Sequence, residues 1–134
     1  MKNATKSWLS YAEKDLLAAA QRLNENKGLE SVILFHCQQS VEKILKAVLE
    51  ENNIEVPKIH ATRTLFELLP KKIQDRIIIN KDFLIEIDAV YIDSRYPGHL
   101  GILPNGNPTQ KEVNRIMDIT EQLFSRIKEV FGDS

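Results

Sequence analysis

Residues 29–53 read Leu-Glu-Ser-Val-Ile-Leu-Phe-His-Cys-Gln-Gln-Ser-Val-Glu-Lys-Ile-Leu-Lys-Ala-Val-Leu-Glu-Glu-Asn-Asn, and this stretch decides the fold. Ile33, Cys37, Val41, Ile44 and Val48 recur at spacings of three and four, one face of an α-helix. Leu34, Leu45 and Leu49 widen that stripe. So broad an apolar face suits a central helix that touches several neighbours. The other face carries Gln38, Gln39, Glu42, Lys43 and Lys46. Glu42 precedes Lys46 by four, the favourable order for a helical ion pair worth ~0.3 kcal/mol. This polar face reads either as a solvated surface or as a hydrogen-bonding wall beside Arg95. Two adjacent glutamines in so apolar a helix would each need partners if buried.

Working outward, Trp8, Tyr11, Ala12, Leu16, Ala19 and Leu23 share a helical period, predicting a helix from about residue 5 to 24. Gly28 suits a left-handed stop beyond it. Downstream, Pro57 opens a loop and a short helix is expected over residues 62–69, ending at Pro70. Residues 71–79, Lys-Lys-Ile-Gln-Asp-Arg-Ile-Ile-Ile, read as a short helix or turn, since a lone strand has nothing to pair with. A helix from Lys81 to Ser94 or Arg95 follows, with Phe83, Leu84, Ile87, Val90 and Tyr91 apolar. Residues 96–108 hold Pro97, Pro104 and Pro108 and three of the five glycines, a loop long enough to be functional. The last helix, residues 109–130, puts Val113, Ile116, Met117, Thr120, Leu123, Ile127 and Val130 on its core face, with Pro108 or Asn107 expected to start it. The expected fold is all-α: one up-and-down helical bundle, residues 1–134, of four long helices plus a short one.

A chain of 134 residues is one domain. Its net charge of −1 excludes binding of nucleic acid by bulk charge and leaves only a local patch, for which Lys43, Lys46, Lys58, Arg63, Arg95 and His99 are the candidates. The single cysteine, Cys37, excludes an internal disulfide and reads as a small core residue. No run of about 18 uncharged apolar residues is present, and Met1–Lys6 has no apolar run behind it. A cytoplasmic protein without membrane contact or signal peptide is expected. There is no Gly-rich phosphate loop, His-Glu-x-x-His or Gly-x-Ser-x-Gly, so no metal or cofactor is expected.

Three places could carry chemistry. In Tyr91-Ile-Asp-Ser-Arg95-Tyr96-Pro97-Gly98-His99, helical spacing puts Asp88, Tyr91 and Arg95 on one face, and Pro97 stops the helix. Arg95 offers a fork of donors for phosphate, and His99 can exchange a proton near neutral pH. Together they are the minimum for metal-free RNA cleavage. On spacing alone the favoured reading is that Arg95 satisfies the helix's last carbonyls and His99 is solvated. The second place is the Gln38–Lys46 face. The third is His60, which precedes the short helix and could cap it or hydrogen-bond in a turn. His36, in mid-helix, reads as structural.

These places occur in the order of a family pattern. Ala12-x-x-Asp15-Leu16 is followed by Gln38-Gln39-Ser40-Val41-Glu42-Lys43-Ile44-Leu45-Lys46, then His60 with Leu65 and Leu68-Leu69, then Tyr91-x-x-x-Arg95-Tyr96-Pro97. Over residues 5–130 the chain resembles a stand-alone HEPN domain (higher eukaryotes and prokaryotes nucleotide-binding). The resemblance implies a helical bundle that pairs as a homodimer. It also implies a nucleotide-binding role, or that of partner to a minimal nucleotidyltransferase, in a toxin–antitoxin-like system. The nuclease members of that family carry four to six residues between their Arg and His, whereas three separate Arg95 from His99. The alternatives implied are a metal-independent RNase using Arg95 and His99, or a non-catalytic helical interaction module. In each active reading Gln38, Glu42, Lys46, Tyr91 and Tyr96 would bind or orient the nucleotide or RNA.

Overall fold

The computed structural model describes residues 1–25, 28–95 and 108–132, and of residues 91–95 the backbone alone. Within them α1 is Asn3–Glu25, α2 Glu30–Glu51, α3 Thr62–Glu67, α4 Lys71–Ile77, α5 Lys81–Arg95 and α6 Gln110–Val130. The described residues contain no strand. The all-α expectation holds, with four long helices. The stretch left open between helix and turn forms a second short helix, α4.

The width of the apolar stripe on α2 explains the arrangement. α1, α3, α5 and α6 all pack against it, while α4 packs on α6. Ile33, Leu34, Cys37, Val41, Ile44, Leu45, Val48 and Leu49 are buried, as their periodicity requires. They meet Leu9, Ala12, Leu16 and Ala19 from α1 and Leu84, Ile87 and Val90 from α5. Val113, Ile116, Leu123 and Ile127 come from α6. Burying each large aliphatic side chain contributes about 2 kcal/mol of transfer free energy. Burial pushes the Cys37 thiol up to about 12, which keeps it protonated and inert in the core. Tyr11 departs from its expected place on the core face: it is 54% exposed, with the Lys14 ammonium 5.0 Å from its ring centroid.

The helix ends depart from the sequence expectation at two places. α6 begins one residue later than the periodicity suggests, because Thr109 is its N-cap. Thr109 Oγ1 accepts from the Glu112 amide at 3.1 Å, and Glu112 Oε1 accepts from the Thr109 amide at 3.1 Å, a reciprocal capping box. Pro108 does not take that role, and Asn107 lies outside the described residues. α3 starts without a side-chain cap from its own preceding residue. Asp88 reaches across from α5 instead, accepting from the Thr62 amide at 2.8 Å, the Thr62 hydroxyl at 2.7 Å and the Arg63 amide at 3.1 Å. At the other end of α3, Gln74 Nε2 donates to the carbonyls of Phe66 and Leu69.

α4 ends on Ile78 in the left-handed region, φ 50°. A β-branched residue is strained there, by about 1–2 kcal/mol. Arg126 of α6 holds the turn by donating to the Ile77 and Ile78 carbonyls. Because the Ile78 side chain is 68% exposed, little burial is lost by removing it. Ile78→Gly is expected to raise the unfolding free energy by about 1 kcal/mol, read from urea denaturation. A lower stability would show that the side chain's contacts outweigh the strain.

The start of α1 is tied to the end of α2. Glu51 Oε1 accepts from the Lys2 amide at 3.0 Å and the Thr5 hydroxyl at 2.9 Å. The Lys2 amide above all holds the Glu51 carboxyl below its ordinary 4.5. A depressed folded-state value stabilises the fold above the ordinary carboxylate range and ceases to do so as pH falls through the folded value. Wild-type stability should therefore drop on acidification more steeply than that of Glu51→Gln, measured by urea midpoints on either side of about pH 4.

Candidate functional site

The polar row of α2 is not solvated. Gln38 is fully buried, and the side chains of Glu42 and Lys46 are only 5% and 8% exposed. Polar groups so placed must be paired, and among the described residues every buried side-chain nitrogen or oxygen has a partner. Lys46 Nζ donates to Glu42 Oε2 at 2.9 Å, the i,i+4 pair expected from spacing, here removed from water. The Lys46 ammonium also lies 5.5 Å from the Trp8 ring centroid on α1, which replaces part of its lost hydration.

The other oxygen of Glu42 faces His60. Its Oε1 lies 3.0 Å from His60 Nδ1, so the ring donates Nδ1–H to the carboxylate. His60 is therefore not the cap of α3; its ring turns back toward α2. Its backbone carbonyl accepts from Gln38 Nε2 at 3.1 Å, and Gln39 Nε2 donates to Gln38 Oε1 at 2.6 Å. Two residues on, Thr62 and Arg63 are held by Asp88. Residues 60–63 are thus fastened on one side to α2 and on the other to α5.

A second network closes the α1–α2 seam. Asp15 Oδ2 accepts from Lys43 Nζ, and Oδ1 lies 3.0 Å from His36 Nδ1. Ser40 Oγ donates to the Ala12 carbonyl at 3.0 Å. Ala12, Asp15, Ser40 and Lys43, all within the sequence pattern, thus join the two helices. The structural reading of His36 stands.

Of the sequence-derived site residues, the structure brings together Gln38, Glu42 and Lys46. Tyr91 and Arg95 belong to α5 by their backbone. Their side chains, and Tyr96 and His99 altogether, lie outside the described residues. Of the described cations of the patch, Lys46 faces Glu42, Lys43 faces Asp15, and Arg63 Nε donates to Glu67 at 3.1 Å. Lys58 is exposed. Sequence reasoning missed Asp88 and Thr62 as fasteners of the 60–63 segment, since their pairing joins residues 26 apart. It also missed the work of the Ser40 hydroxyl.

Among the described residues no group of three or more His, Cys, Asp or Glu is placed to hold a metal ion. No described helix is long and apolar enough to cross a membrane. A cavity of about 480 Å³ opens between the α4–α5 connection and α6, floored by Phe83, Ile119 and Leu123 with Arg115 and Arg126 beside them. None of the α2 site residues lines it. Arg115 pairs there with Glu86, whose carboxylate pushes the guanidinium further up.

An all-α bundle wrapped on one central helix, with a buried polar row fastened to the segment after it, is the class of protein in hand. The model of the HEPN domain family matches residues 5–130, and the chain belongs to that family. The fold is similar to that of TT1696 from Thermus thermophilus, at a TM-score of 0.74 and 23% identity, covering 96% of this chain and 98% of the other. It is also similar to ST0689, an archaeal HEPN homologue, at a TM-score of 0.69 and 24% identity, covering 96% and 98%. No curated protein matches.

The buried Glu42–Lys46 pair generates a double-mutant prediction. Glu42→Ala leaves an uncompensated ammonium and is expected to cost about 3–5 kcal/mol. Replacing both at once, Glu42→Leu with Lys46→Met, should restore most of that stability, since apolar residues of similar volume satisfy the same space. Urea denaturation of the two variants and wild type checks it. Equal losses in both variants would show that the pair is not compensating itself.

Proposed function

We propose that this chain is a HEPN domain that binds a nucleotide as one half of a two-component, toxin–antitoxin-like system, pairing with itself as a homodimer and with a minimal nucleotidyltransferase partner. One observation carries the reading: the buried Gln38–Glu42–Lys46 row. A buried ion pair adds little stability over an apolar pair of the same shape, so its presence favours a positioning role. By helical spacing Tyr91 and Arg95 lie one and two turns beyond Asp88 on α5, and Asp88 holds the segment that Glu42 and Gln38 also hold. Arg95, with its fork of donors, is the residue to take a phosphate, and Tyr91 and Tyr96 are the aromatic groups to meet a base or ribose. Membership in the HEPN family supports pairing as a homodimer.

The alternative is RNA cleavage without metal, with His99 as proton donor or acceptor and Arg95 stabilising the charged phosphate. The three-residue spacing between them favours binding over cleavage.

Two measurements separate the readings. Equilibrium dialysis against ATP and AMP should give saturable binding that Arg95→Ala weakens by about tenfold or more, as loss of a charge-assisted phosphate contact requires. Incubation with RNA in EDTA should leave the RNA intact. Cleavage that both Arg95→Ala and His99→Ala abolish would replace the binding reading with the RNase one. Light scattering should return twice the 15.4 kDa chain mass; a monomer would remove the homodimer.

A further inference from the structure

The geometry points to the cavity between the α4–α5 connection and α6 as a second binding site, one that takes a small organic carboxylate. Its anionic head would rest on Arg126 and its aromatic or aliphatic body on the apolar floor. The site is independent of the nucleotide reading, since none of the α2 site residues lines it. Its volume of about 480 Å³ falls within the range of about 300–1,000 Å³ found for small-molecule sites.

The floor is apolar and fixed. Phe83 and Leu123 are buried members of the main core, and Ile119 packs against that core. The wall is where the chain departs from what stability alone asks. Ile78 holds a left-handed backbone at the end of α4, where glycine is the usual residue. Its side chain is largely exposed, so burial within the described residues does not offset the strain. That side chain lines the cavity. Backbone strain of this kind gathers at ligand clamps, and here an otherwise costly isoleucine supplies apolar wall to a concave site.

Charge selects the head group. Arg126 Nη1 donates to the Ile77 and Ile78 carbonyls, neutral acceptors that leave the guanidinium's charge in place. Among the described residues no carboxylate pairs with Arg126. Its Nη2 and Nε remain as donors, a fork that suits a carboxylate. The other charged groups of the lining are already engaged. Arg115 and Glu86 pair with each other, and Asp82 sits in the first turn of α5, where the helix N-terminus offsets its charge.

The probe is hydrocinnamate, with neutral hydrocinnamide as control, each titrated into the full ¹⁵N-labelled chain and followed by ¹H–¹⁵N correlation spectra. The acid should bind saturably with a Kd of about 1 mM or below, shifting the amides that border the cavity on α5 and α6. Hydrocinnamide should bind about tenfold more weakly, lacking the charge-assisted hydrogen bond to Arg126. Arg126→Gln, which keeps an amide donor for the turn carbonyls, should bring the acid down to the level of the amide. Ile78→Gly should weaken the acid about threefold while leaving the fold at least as stable as wild type, a split that a purely structural isoleucine would not give. Gln122→Trp, at an exposed position on the cavity wall, should block binding. Equal binding of acid and amide by wild type overturns the carboxylate. Unchanged binding in Ile78→Gly or Gln122→Trp, or shifts away from the cavity, overturns the site. Absence of any saturable shift up to about 10 mM overturns the proposal as a whole.

Discussion

The burial of the Glu42 carboxylate constrains the rest of the molecule. A charge removed from water must be met by opposite charge and by donors, or the fold loses several kcal/mol. Lys46 meets one oxygen and His60 the other. Each of these then imposes its own requirement. Lys46 needs shelter, and Trp8 of α1 gives its ammonium a ring face. His60 must be brought back to α2 from the loop after it, which Gln38 and Asp88 do from two different helices. One buried carboxylate thus links α1, α2, α3 and α5.

The apolar half of this design was legible in the sequence. Ile33, Cys37, Val41, Ile44 and Val48 carry the 3.6-residue period, and all are buried. The expectation that α2 is central followed from the width of its stripe. The polar half was harder to read. Gln38, Glu42 and Lys46 look the same in sequence whether they face water or a neighbouring helix, because periodicity marks a face and not what covers it. What distinguishes the two cases is the partner: Trp8 lies 38 positions from Lys46, and His60 lies 18 from Glu42. No local rule connects such positions. Thr109 is the opposite case. Thr109-Gln-Lys-Glu112 is a capping-box pattern that can be read locally, without any distant partner. Tyr11 matched the period but not the face, since a tyrosine can present its ring to a lysine at the surface as readily as to a core.

Near-neutral net charge has a structural counterpart. Lys43, Lys46 and Arg63 each face a carboxylate, so the described residues around α2 form no broad basic surface. The described polar contacts join α2, the segment after it and α5 at one seam. The same residues that make the seam stable also set the direction of the imidazole at its edge.

The contact between Glu42 and His60 can be observed directly. Long-range ¹H–¹⁵N correlation spectra of histidine-labelled protein, taken at alkaline pH with the imidazoles neutral, report which ring nitrogen holds the proton. The account predicts that His60 is protonated on Nδ1, where the Glu42 carboxylate accepts. A His60 ring protonated on Nε2, with Nδ1 bare beside the carboxylate, would contradict it.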